Sequence, residues 1–289
     1  MLGSAFASVA SGTSRFDVRA LSREELDVRD QHALMAHADW VAGGWVVHCA
    51  GTVDVRRCAQ QPNEARETLV LGTLNAIHLA KSAQAKLFYP QSFLVYEGGD
   101  DIIAEDTPPN PLSLYGELKW EAERLLDALE APLVVRMAGF FGGESRDKNF
   151  VGLIIPLLHR AIAEGKTVFE VGDRVWQPTW TQDIAFNSLH LMEAGSSGVY
   201  PMSSHGHAAF HEVADQIVSS LGWSDRLRIQ PVSAAAVAAA EVGPERRPGR
   251  VVLSCERLRR ENRDLQRDWR SALNAYLSTP YFDRYRLEH

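Results

Sequence analysis

The chain alternates short apolar runs with longer segments whose apolar residues recur at helical spacing. Residues 46–51 predict a buried strand that runs into a small-residue turn, and residues 86–92 predict the next strand. Residues 63–82 have the helical period, and residues 133–137 predict a third strand after a second helix. This order predicts an α/β fold with a doubly wound parallel sheet, whose ligands bind outside the carboxyl ends of its strands.

Three polar side chains fall at that edge of the predicted sheet. Ser92 ends one strand, and Tyr115 and Lys119 form a Tyr-x-x-x-Lys pair in the next helix. Residues four apart share one helix face, so the Lys119 ammonium can lie near the Tyr115 phenol and lower its pKa from about 10. The pair is a candidate acid–base device. The alternative is an ordinary surface helix, with a Ser92 hydroxyl that bonds nearby backbone.

Further segments follow in a fixed order along the chain: residues 26–30, 49–51, 71–73, 92–98, 109–119, 135–136, 148–151, 177–185 and 247–248. Together they resemble the extended short-chain dehydrogenase/reductase superfamily, and most closely its dTDP-4-dehydrorhamnose reductase branch. The resemblance covers almost the whole chain. It depends on the order and spacing of the segments rather than on any single one, and it is more specific for the superfamily than for one reaction.

The resemblance implies a Rossmann-like fold with a smaller C-terminal lobe for the substrate. Residues 1–141 would form an N-terminally incomplete dinucleotide-binding domain, and residues 142–289 would form mainly the substrate-binding lobe. Segments near 167–200 would return to the first domain, so a single boundary is approximate. The lobe would close over a nucleotide sugar.

The implied activity is NAD(P)H-dependent reduction of a keto group on a nucleotide-activated sugar. Tyr115 would deliver a proton to the ketone oxygen, Ser92 would hydrogen-bond the developing alkoxide, and Lys119 would hold the nicotinamide ribose. Two alternatives stay open. One is a nucleotide-sugar epimerase or dehydratase, and the other is a non-catalytic regulatory subunit, because this branch includes the beta subunit of methionine adenosyltransferase.

The residues implied to bind ligands come from separate segments. For the dinucleotide they are Gly3, Arg23, Asp27, Val28, Cys49, Ala50, Gly51, Tyr115 and Lys119. For the substrate they are Asn149, Arg174, Trp176, Gln177 and Arg247. An anionic nucleotide sugar needs local positive charge, which Arg174 and Arg247 would supply, although each is equally explained as a solvated surface arginine.

The phosphate loop departs from the family pattern. The family has a strand followed by Gly-x-x-Gly-x-x-Gly, whose glycines let a pyrophosphate reach backbone amides at a helix N-terminus. Here the chain begins Met-Leu-Gly, and only Gly3 remains, in the place of the last glycine. We expect either a start internal to a longer reading frame or a truncation. Residues 287–289 look like a vector-derived tail and are left out of the fold prediction.

Cofactor choice is weakly encoded. A strand is predicted at 16–20, and Arg23 follows it, which favours the 2′-phosphate of NADP and leaves NAD open. Asp27 and Val28 would flank the adenine, although Asp27 could equally cap a helix.

The surroundings of the proton-transfer residues differ from the branch pattern. The branch has Thr-Asp-Tyr-Val-Phe where this chain has Ser-Phe-Leu-Val-Tyr at 92–96. It also has a tryptophan in place of Gly139, and the superfamily commonly has a helix asparagine in place of Leu69. The trio is kept while its neighbours change, so the substrate is less certain than the superfamily.

Composition agrees with a globular enzyme. The chain is 45% hydrophobic and 23% charged, and its net charge of −7 argues against a general nucleic-acid binder. There is no apolar run of membrane-spanning length and no secretory signal, so no membrane partner is expected. Three cysteines without a Cys-x-x-Cys pair suggest a reducing, cytoplasmic location. The sequence leaves open whether the chain forms a homodimer.

Three histidines form the one cluster with a metal-like composition. His205, His207 and His211 lie within seven residues, but no carboxylate or thiolate stands at an obvious fourth position. We therefore expect loop histidines and no metal.

Two helices are predicted in the second half of the chain. Residues 150–164 have apolar residues at helical spacing, with Leu153, Ile154, Leu157 and Leu158 expected on the buried side. Residues 234–240 form an alanine-rich segment that also predicts a helix.

Overall fold

The computed structural model describes residues 1–143, 147–233 and 248–286. The strands are Trp45–Val47 (β1), Lys86–Ser92 (β2), Leu133–Met137 (β3), Phe140–Phe141 (β4), Val168–Gly172 (β5), Val175–Trp176 (β6), Thr179–Trp180 (β7), Gly198–Met202 (β8), Ala208–Ala209 (β9) and Arg228–Val232 (β10). The main sheet is parallel, with the strand order β1-β2-β3-β8. The predicted α/β fold is confirmed, and the strands predicted at 86–92 and 133–137 have the observed bounds.

Helices separate these strands along the chain. They are Leu2–Ser11 (α1), Gln31–Met35 (α2), Ala38–Val41 (α3), Val55–Gln60 (α4), Pro62–Arg66 (α5), Gly72–Ser82 (α6), Leu114–Arg124 (α7), Phe150–Ala163 (α8), Thr181–Glu193 (α9), Phe210–Ser220 (α10), Glu256–Arg260 (α11) and Trp269–Leu277 (α12). A π-helical turn, Glu67–Leu71, joins α5 to α6, so the helix predicted over 63–82 is present in three parts. A short 3₁₀ turn, Phe93–Val95, follows β2, and another, Leu125–Ala128, follows α7. A third, Pro280–Tyr285, comes after α12.

Both faces of the main sheet are covered. Helices α1 and α9 pack on one face, where the Phe6 and Phe88 ring centroids are 4.8 Å apart. Helices α6 and α7 cover the other face, where Leu87 and Tyr89 are buried. Successive strand residues point to opposite faces, so a strand covered on both sides needs a continuous apolar run. This explains why periodicity located β2 and β3 well.

The outer side of β1 has no strand partner among the described residues. β1 pairs with β2 alone, and all three of its residues are only half-buried. The strand predicted at 16–20 is wrong, because these residues have no regular secondary structure. A strand is stabilised by hydrogen bonds to a neighbour. Residues 16–20 have no such neighbour in the described structure, so their apolar side chains do not produce a strand.

A second core lies beyond β3. The parallel pair β5 and β10 packs with α8, α10 and α12 around fully buried Trp223 and Trp269. Between β5 and β10 the chain passes back to the main sheet, because α9 packs on α1 and β8 pairs with β3. This arrangement places β6 and β7, and the residues between them, beside the carboxyl edge of the main sheet.

Helix α8 buries a different stripe from the one predicted. Ile154 and Leu158 are buried as expected, but Leu153 and Leu157 are 58% and 47% exposed. Residues one position apart on a helix point about 100° apart, so the two pairs cannot share one narrow face. The helix predicted at 234–240 lies outside the described residues.

Candidate active site

Ser92 and Tyr115 meet at the carboxyl end of β2. Ser92 ends the strand, and its Oγ accepts the Leu94 N–H at 3.1 Å, which caps the 3₁₀ turn that follows. Tyr115 lies in the first turn of α7, whose N-cap Ser113 accepts the Gly116 N–H at 3.3 Å. The Ser92 side chain lies close enough to the Tyr115 phenol to oppose the rise in its pKa that burial causes. Backbone capping and contact with the phenol therefore occur together at Ser92.

Gly116 makes this approach of α7 possible. A Cβ at this position would overlap the Leu94 carbonyl oxygen and lie 2.8 Å from the Pro111 Cβ. Only a residue without a side chain lets the first turn of α7 pack so closely on the turn after β2. The glycine next to Tyr115 therefore sets the separation between the phenol and Ser92.

Lys119 lies one helical turn after Tyr115 and is buried. Its Nζ donates to the Pro90 carbonyl oxygen at 2.8 Å and lies 3.8 Å from the centroid of the Tyr89 ring. Pro90 interrupts an apolar central strand, where a missing N–H is normally costly. The ladder bond from His48 to Phe88 shows that this side of β2 faces β1, and β1 ends before it reaches Pro90. Pro90 has no N–H with which to continue this ladder, so pairing with β1 stops at His48, and the Pro90 carbonyl accepts from Lys119.

Burial changes the pKa of both residues. Desolvation lowers the pKa of Lys119 to about 7, although the Glu123 carboxylate opposes the shift. Desolvation raises the pKa of Tyr115 to about 12, against the hydrogen bond from Ser92. The expectation that Lys119 lowers the Tyr115 pKa is wrong for this structure. The ammonium is directed to the Pro90 carbonyl and the Tyr89 ring, so burial controls the phenol.

A buried polar network joins α7 to strands β2 and β3. The Gln91 amide donates to the Lys119 carbonyl at 2.9 Å and to the Glu123 carboxylate at 2.7 Å. Glu123 pairs with Arg136 of β3 at 2.6 Å, and Arg136 also donates to the Tyr96 hydroxyl at 2.7 Å. Both charged side chains are less than 10% exposed. The network fixes α7 against β2 and β3, and sequence reasoning did not find it because its members are far apart in the chain.

The helix that opens the chain meets the turn after β1. A Cβ on Gly3 would lie 3.3 Å from the Cys49 Cβ, so a small residue is needed where α1 crosses this turn. Burial raises the pKa of the Cys49 thiol to about 12, although the nearby Lys119 ammonium and chain N-terminus oppose the shift. Ala50 and Gly51 continue the turn and are exposed. The structure thus brings Gly3, Cys49 and Lys119 together at one edge.

The residues predicted to bind the adenosine part of the dinucleotide are held mainly by exposed or half-buried contacts. Arg23 is exposed and pairs with Glu64 at 3.7 Å. Asp27 forms a close ion pair with Arg29 at 2.6 Å, and these hydrogen bonds lower its pKa to about 2. Val28 packs against α6 at Gly72, where a Cβ would lie 2.8 Å from the valine. Arg23 contacts α5 through Glu64, and its charge also helps to lower the pKa of Asp27.

Two of the substrate candidates are held by hydrogen bonds to the backbone. Asn149 donates to the Phe140 carbonyl at 2.7 Å, and the Gln177 amide makes reciprocal bonds with the Leu253 backbone at 2.7 and 3.3 Å. Gln177 therefore holds the chain together rather than presenting a free amide. Arg174 is half-buried at the start of β6, and Arg247 lies outside the described residues.

Asp147 ties Asn149 to the end of β4. It accepts N–H bonds from Gly142 at 2.9 Å and Asn149 at 2.8 Å, and an O–H bond from Tyr276 at 3.4 Å. Burial raises its pKa, while these bonds oppose the shift. Asp147 thereby fixes the Asn149 backbone against the turn at Gly142 and against Tyr276 of α12.

Trp176 occupies the space above Gly139. A Cβ at residue 139 would lie 2.5 Å from Cε3 and 3.0 Å from Cζ3 of the Trp176 ring, and 3.5 Å from a carbon of the Phe93 ring. Trp176 is held edge-on against Phe150 and Phe210, with centroid distances of 6.1 and 5.3 Å. Sequence reasoning noted Gly139 and Trp176 separately, and no local signal joined them.

The described residues contain no group of three or more His, Cys, Asp or Glu side chains arranged to bind a metal. His205 instead pairs with Asp264 at 3.0 Å, and none of the three cysteines is in a disulfide. No helix in the described part of the chain has the length and apolarity to span a membrane.

Comparisons with known proteins agree with this geometry. A family model for the RmlD substrate binding domain matches residues 1–281. The dTDP-4-dehydrorhamnose reductase of Streptomyces griseus is 29% identical over 89% of this chain and 83% of its own length. A probable dTDP-4,6-dihydroxy-2-methyloxan-3-one 4-ketoreductase of Streptomyces antibioticus is 31% identical over 89% of this chain and 85% of its own. The structure of dTDP-4-dehydrorhamnose reductase from Bacillus anthracis in complex with NADP superposes with a TM-score of 0.81, at 20% identity over 94% of each chain.

Proposed function

Since the chain belongs to the RmlD substrate binding domain family, we propose that it is an NADPH-dependent reductase of a keto group on a nucleotide-activated sugar. The observation that carries the proposal is that Ser92, at the carboxyl end of β2, lies beside the Tyr115 phenol, with Lys119 one turn further along the same helix. Both curated relatives described above are named as reductases of dTDP-linked sugars.

The residues at the carboxyl edge fit a dinucleotide. Lys119 and the turn at Cys49 would hold the nicotinamide ribose. The N-terminus of α1 has no side-chain cap, so its first backbone N–H groups are available to a phosphate. When bound, the reduced nicotinamide supplies a hydride to the carbonyl carbon of the sugar. We propose NADPH because the Bacillus anthracis relative is complexed with NADP, and NADH is the comparison.

In the proposed mechanism the protein manages the proton. The Tyr115 hydroxyl donates its proton to the ketone oxygen, which becomes the product hydroxyl, and the phenolate regains a proton from solvent. The Ser92 hydroxyl donates a hydrogen bond to the same oxygen as negative charge develops. A phenol with its pKa raised to about 12 keeps its proton at neutral pH, which suits the direction of reduction.

The remaining parts of the proposal concern organisation. We assign residues 1–141 to dinucleotide binding and residues 142–289 mainly to the substrate, with α9 and β8 returning to the sheet. Asn149 and Trp176 are the substrate-facing residues we propose in the described part of the chain. A cytoplasmic location suits the cofactor and substrate, and a homodimer is to be tested by sedimentation.

The test is an NADPH absorbance assay on a panel of 4-keto nucleotide sugars. Tyr115→Phe should lower turnover by about 100- to 10,000-fold, about 3 to 5 kcal/mol in the barrier, because it removes only the transferable proton. NADPH binding, measured by calorimetry, should stay close to that of the wild type. Tyr281→Phe, in the other lobe, is the matched control and should leave both values unchanged. Equal turnover of Tyr115→Phe and the wild type would eliminate the proposed donor.

The regulatory-subunit alternative is separated by the same assay. It is favoured by the incomplete sheet on the side of β1, where a dinucleotide would bind. A wild-type protein that binds NADPH yet reduces no sugar of the panel would support this alternative. Turnover of any sugar that disappears in Tyr115→Phe would exclude it.

A further inference from the structure

Three residues form a wall beside the proton-transfer pair. Phe93 follows Ser92 directly, Gly139 follows the end of β3, and Trp176 ends β6. The virtual Cβ of Gly139 is within 3.5 Å of both aromatic rings, so the three positions are contiguous in space. The wall is thus built from the turn after β2, the residue two positions after β3 and the end of β6.

The wall offers no hydrogen-bonding side chain near Gly139. Phe93 has none, and glycine has no side chain. The Trp176 atoms that face Gly139 are the ring carbons Cε3 and Cζ3. The indole N–H lies on the opposite edge of the ring system, and it has no acceptor in the part of the chain that the structure describes. The surface beside Ser92 is therefore carbon, where the reductase branch that this chain resembles has an aspartate next to the catalytic hydroxyl.

A polar substituent placed against this surface would lose its hydrogen bonds to water without replacement. A buried hydroxyl without a partner costs about 1 to 3 kcal/mol, whereas a C–H group in the same place is favourable. The steric fit adds a second constraint. The Trp176 edge fills the space that a side chain at residue 139 would take, and Phe150 and Phe210 hold the indole in place.

We propose that the wall of Phe93, Gly139 and Trp176 selects a keto nucleotide sugar that lacks a hydroxyl on the ring carbon next to the keto carbon. This inference rests on the proposed reductase function, because Ser92 and Tyr115 fix the keto oxygen. Of the two ring carbons next to a C4 keto group, C5 is bonded to the ring oxygen and carries no hydroxyl, so the hydroxyl in question is on C3. The proposal places C3 against Phe93, the residue that follows Ser92. Phe93 is the specificity-determining residue, and Trp176 sets the depth of the wall.

The test uses two keto nucleotide sugars that differ only in that hydroxyl. With wild-type protein and NADPH, kcat/KM should be about 10- to 100-fold higher for the deoxy sugar, the range expected when an apolar pocket meets an added hydroxyl. The difference should lie mainly in KM. Calorimetric binding of the two corresponding alcohol products should show the same order of affinity without any turnover.

Substitutions of Phe93 identify the source of the preference. Phe93→Asp supplies an acceptor and should remove or invert the preference, while Phe93→Leu keeps an apolar surface and should retain it. Trp176→Phe keeps a ring against Gly139 and should also retain the preference. Circular dichroism confirms that each variant is folded, and Phe93 is only half-buried, so its substitutions are tolerable.

The outcomes separate this inference from the proposed function. Reduction of both sugars at equal kcat/KM, or an equal effect of Phe93→Asp and Phe93→Leu on the two sugars, would overturn the selectivity and leave the reductase activity standing. A protein that binds NADPH and reduces neither sugar nor any other of the panel would overturn the proposed function, and the inference with it.

Discussion

The main sheet is more completely built around β3, which we call its inner side, than around β1, which we call its outer side. On the inner side, β3 has neighbours on both edges and all five of its residues are buried. On the outer side, β1 is three residues long, half-buried and paired along one edge. Apolar residues near that edge, Val18, Leu21 and Trp40, are 36% to 43% exposed. The proposed proton-transfer residues lie on the inner side, and the predicted adenine contacts lie on the outer side.

This difference indicates that different parts of the structure hold the proposed catalytic residues and the predicted cofactor contacts in place. Ser92 and the helix that carries Tyr115 are fixed by β2, β3 and a buried ion pair. Asp27 and Arg23 are fixed mainly by ion pairs with other exposed or half-buried side chains. Exposed ion pairs contribute little to stability. Changes on the inner side should therefore alter folding and turnover, and changes on the outer side should alter dinucleotide binding.

The largest expected effect is on the inner ion pair. Glu123→Gln leaves Arg136 buried without its carboxylate, and breaking such a pair costs about 3 to 5 kcal/mol in the free energy of unfolding. Urea denaturation measures the loss. Glu64→Gln removes the partner of Arg57 and Arg23 in partly exposed pairs on the outer side and should cost at most about 1 kcal/mol. Similar losses in the two variants would contradict the contrast between the sides.

The outer side can be strengthened by an added strand. An apolar strand and a Gly-x-x-Gly turn fused ahead of Leu2 should pair with the outer edge of β1 and direct backbone amides to a phosphate. Two charge-assisted hydrogen bonds are worth about 3 kcal/mol, so NADPH affinity should rise on the order of 100-fold. Calorimetry measures the gain.

A proline-containing version of the same extension is its control, because proline cannot complete the ladder. Tight NADPH binding by the present 289-residue chain, with no gain from either extension, would show that the outer side needs no further strand.

The lowered pKa of Lys119 makes the free energy of unfolding depend on pH. Burial lowers its pKa from 10.5 to about 7, so between these values the unfolded chain binds more protons than the folded chain. Stability therefore rises with pH through this window. From pH 7 to about pH 9 the gain should be about 2 kcal/mol. It should be absent in Lys119→Met and present in Lys86→Met, an exposed control, when urea midpoints are compared. A flat profile in the wild type would contradict the lowered pKa.

The smallest contrast compares two valines. Val135→Ala removes buried side-chain atoms from β3 and should cost about 2 kcal/mol in unfolding free energy. Val18→Ala, in the segment without strand structure, should stay within about 0.5 kcal/mol. Thermal denaturation of both variants checks the difference. A cost for Val18→Ala as large as that for Val135→Ala would indicate that residues 16–20 are packed as firmly as the inner strands.

The sequence predicted the strands of the inner side correctly and predicted a strand on the outer side that does not form. The strands at 86–92 and 133–137 were predicted with the observed bounds, because a strand covered on both faces leaves a continuous apolar run. The segment at 16–20 alternates apolar and charged residues, a pattern typical of a half-buried strand, yet it forms no strand, since pairing with a neighbour, not composition, decides that outcome.

For the candidate site, spacing along one helix linked Tyr115 to Lys119, and the parallel topology brought Ser92 to the same edge. The lowered Lys119 pKa and the contact between Gly139 and Trp176 depend on burial and on residues distant in sequence. No local pattern reports such quantities, which is why the substrate wall was found only in three dimensions.

Among the described residues, β1 has no strand partner on its outer edge, and this edge also affects self-association of the protein in concentrated solution. The unpaired backbone groups of an edge strand are a template for pairing with another chain, and natural proteins usually block them. Because β1 has only three residues, such pairing would form few hydrogen bonds and would be reversible. Crystallisation and scattering experiments should therefore begin at low concentration, where molecules that associate through this edge are rare.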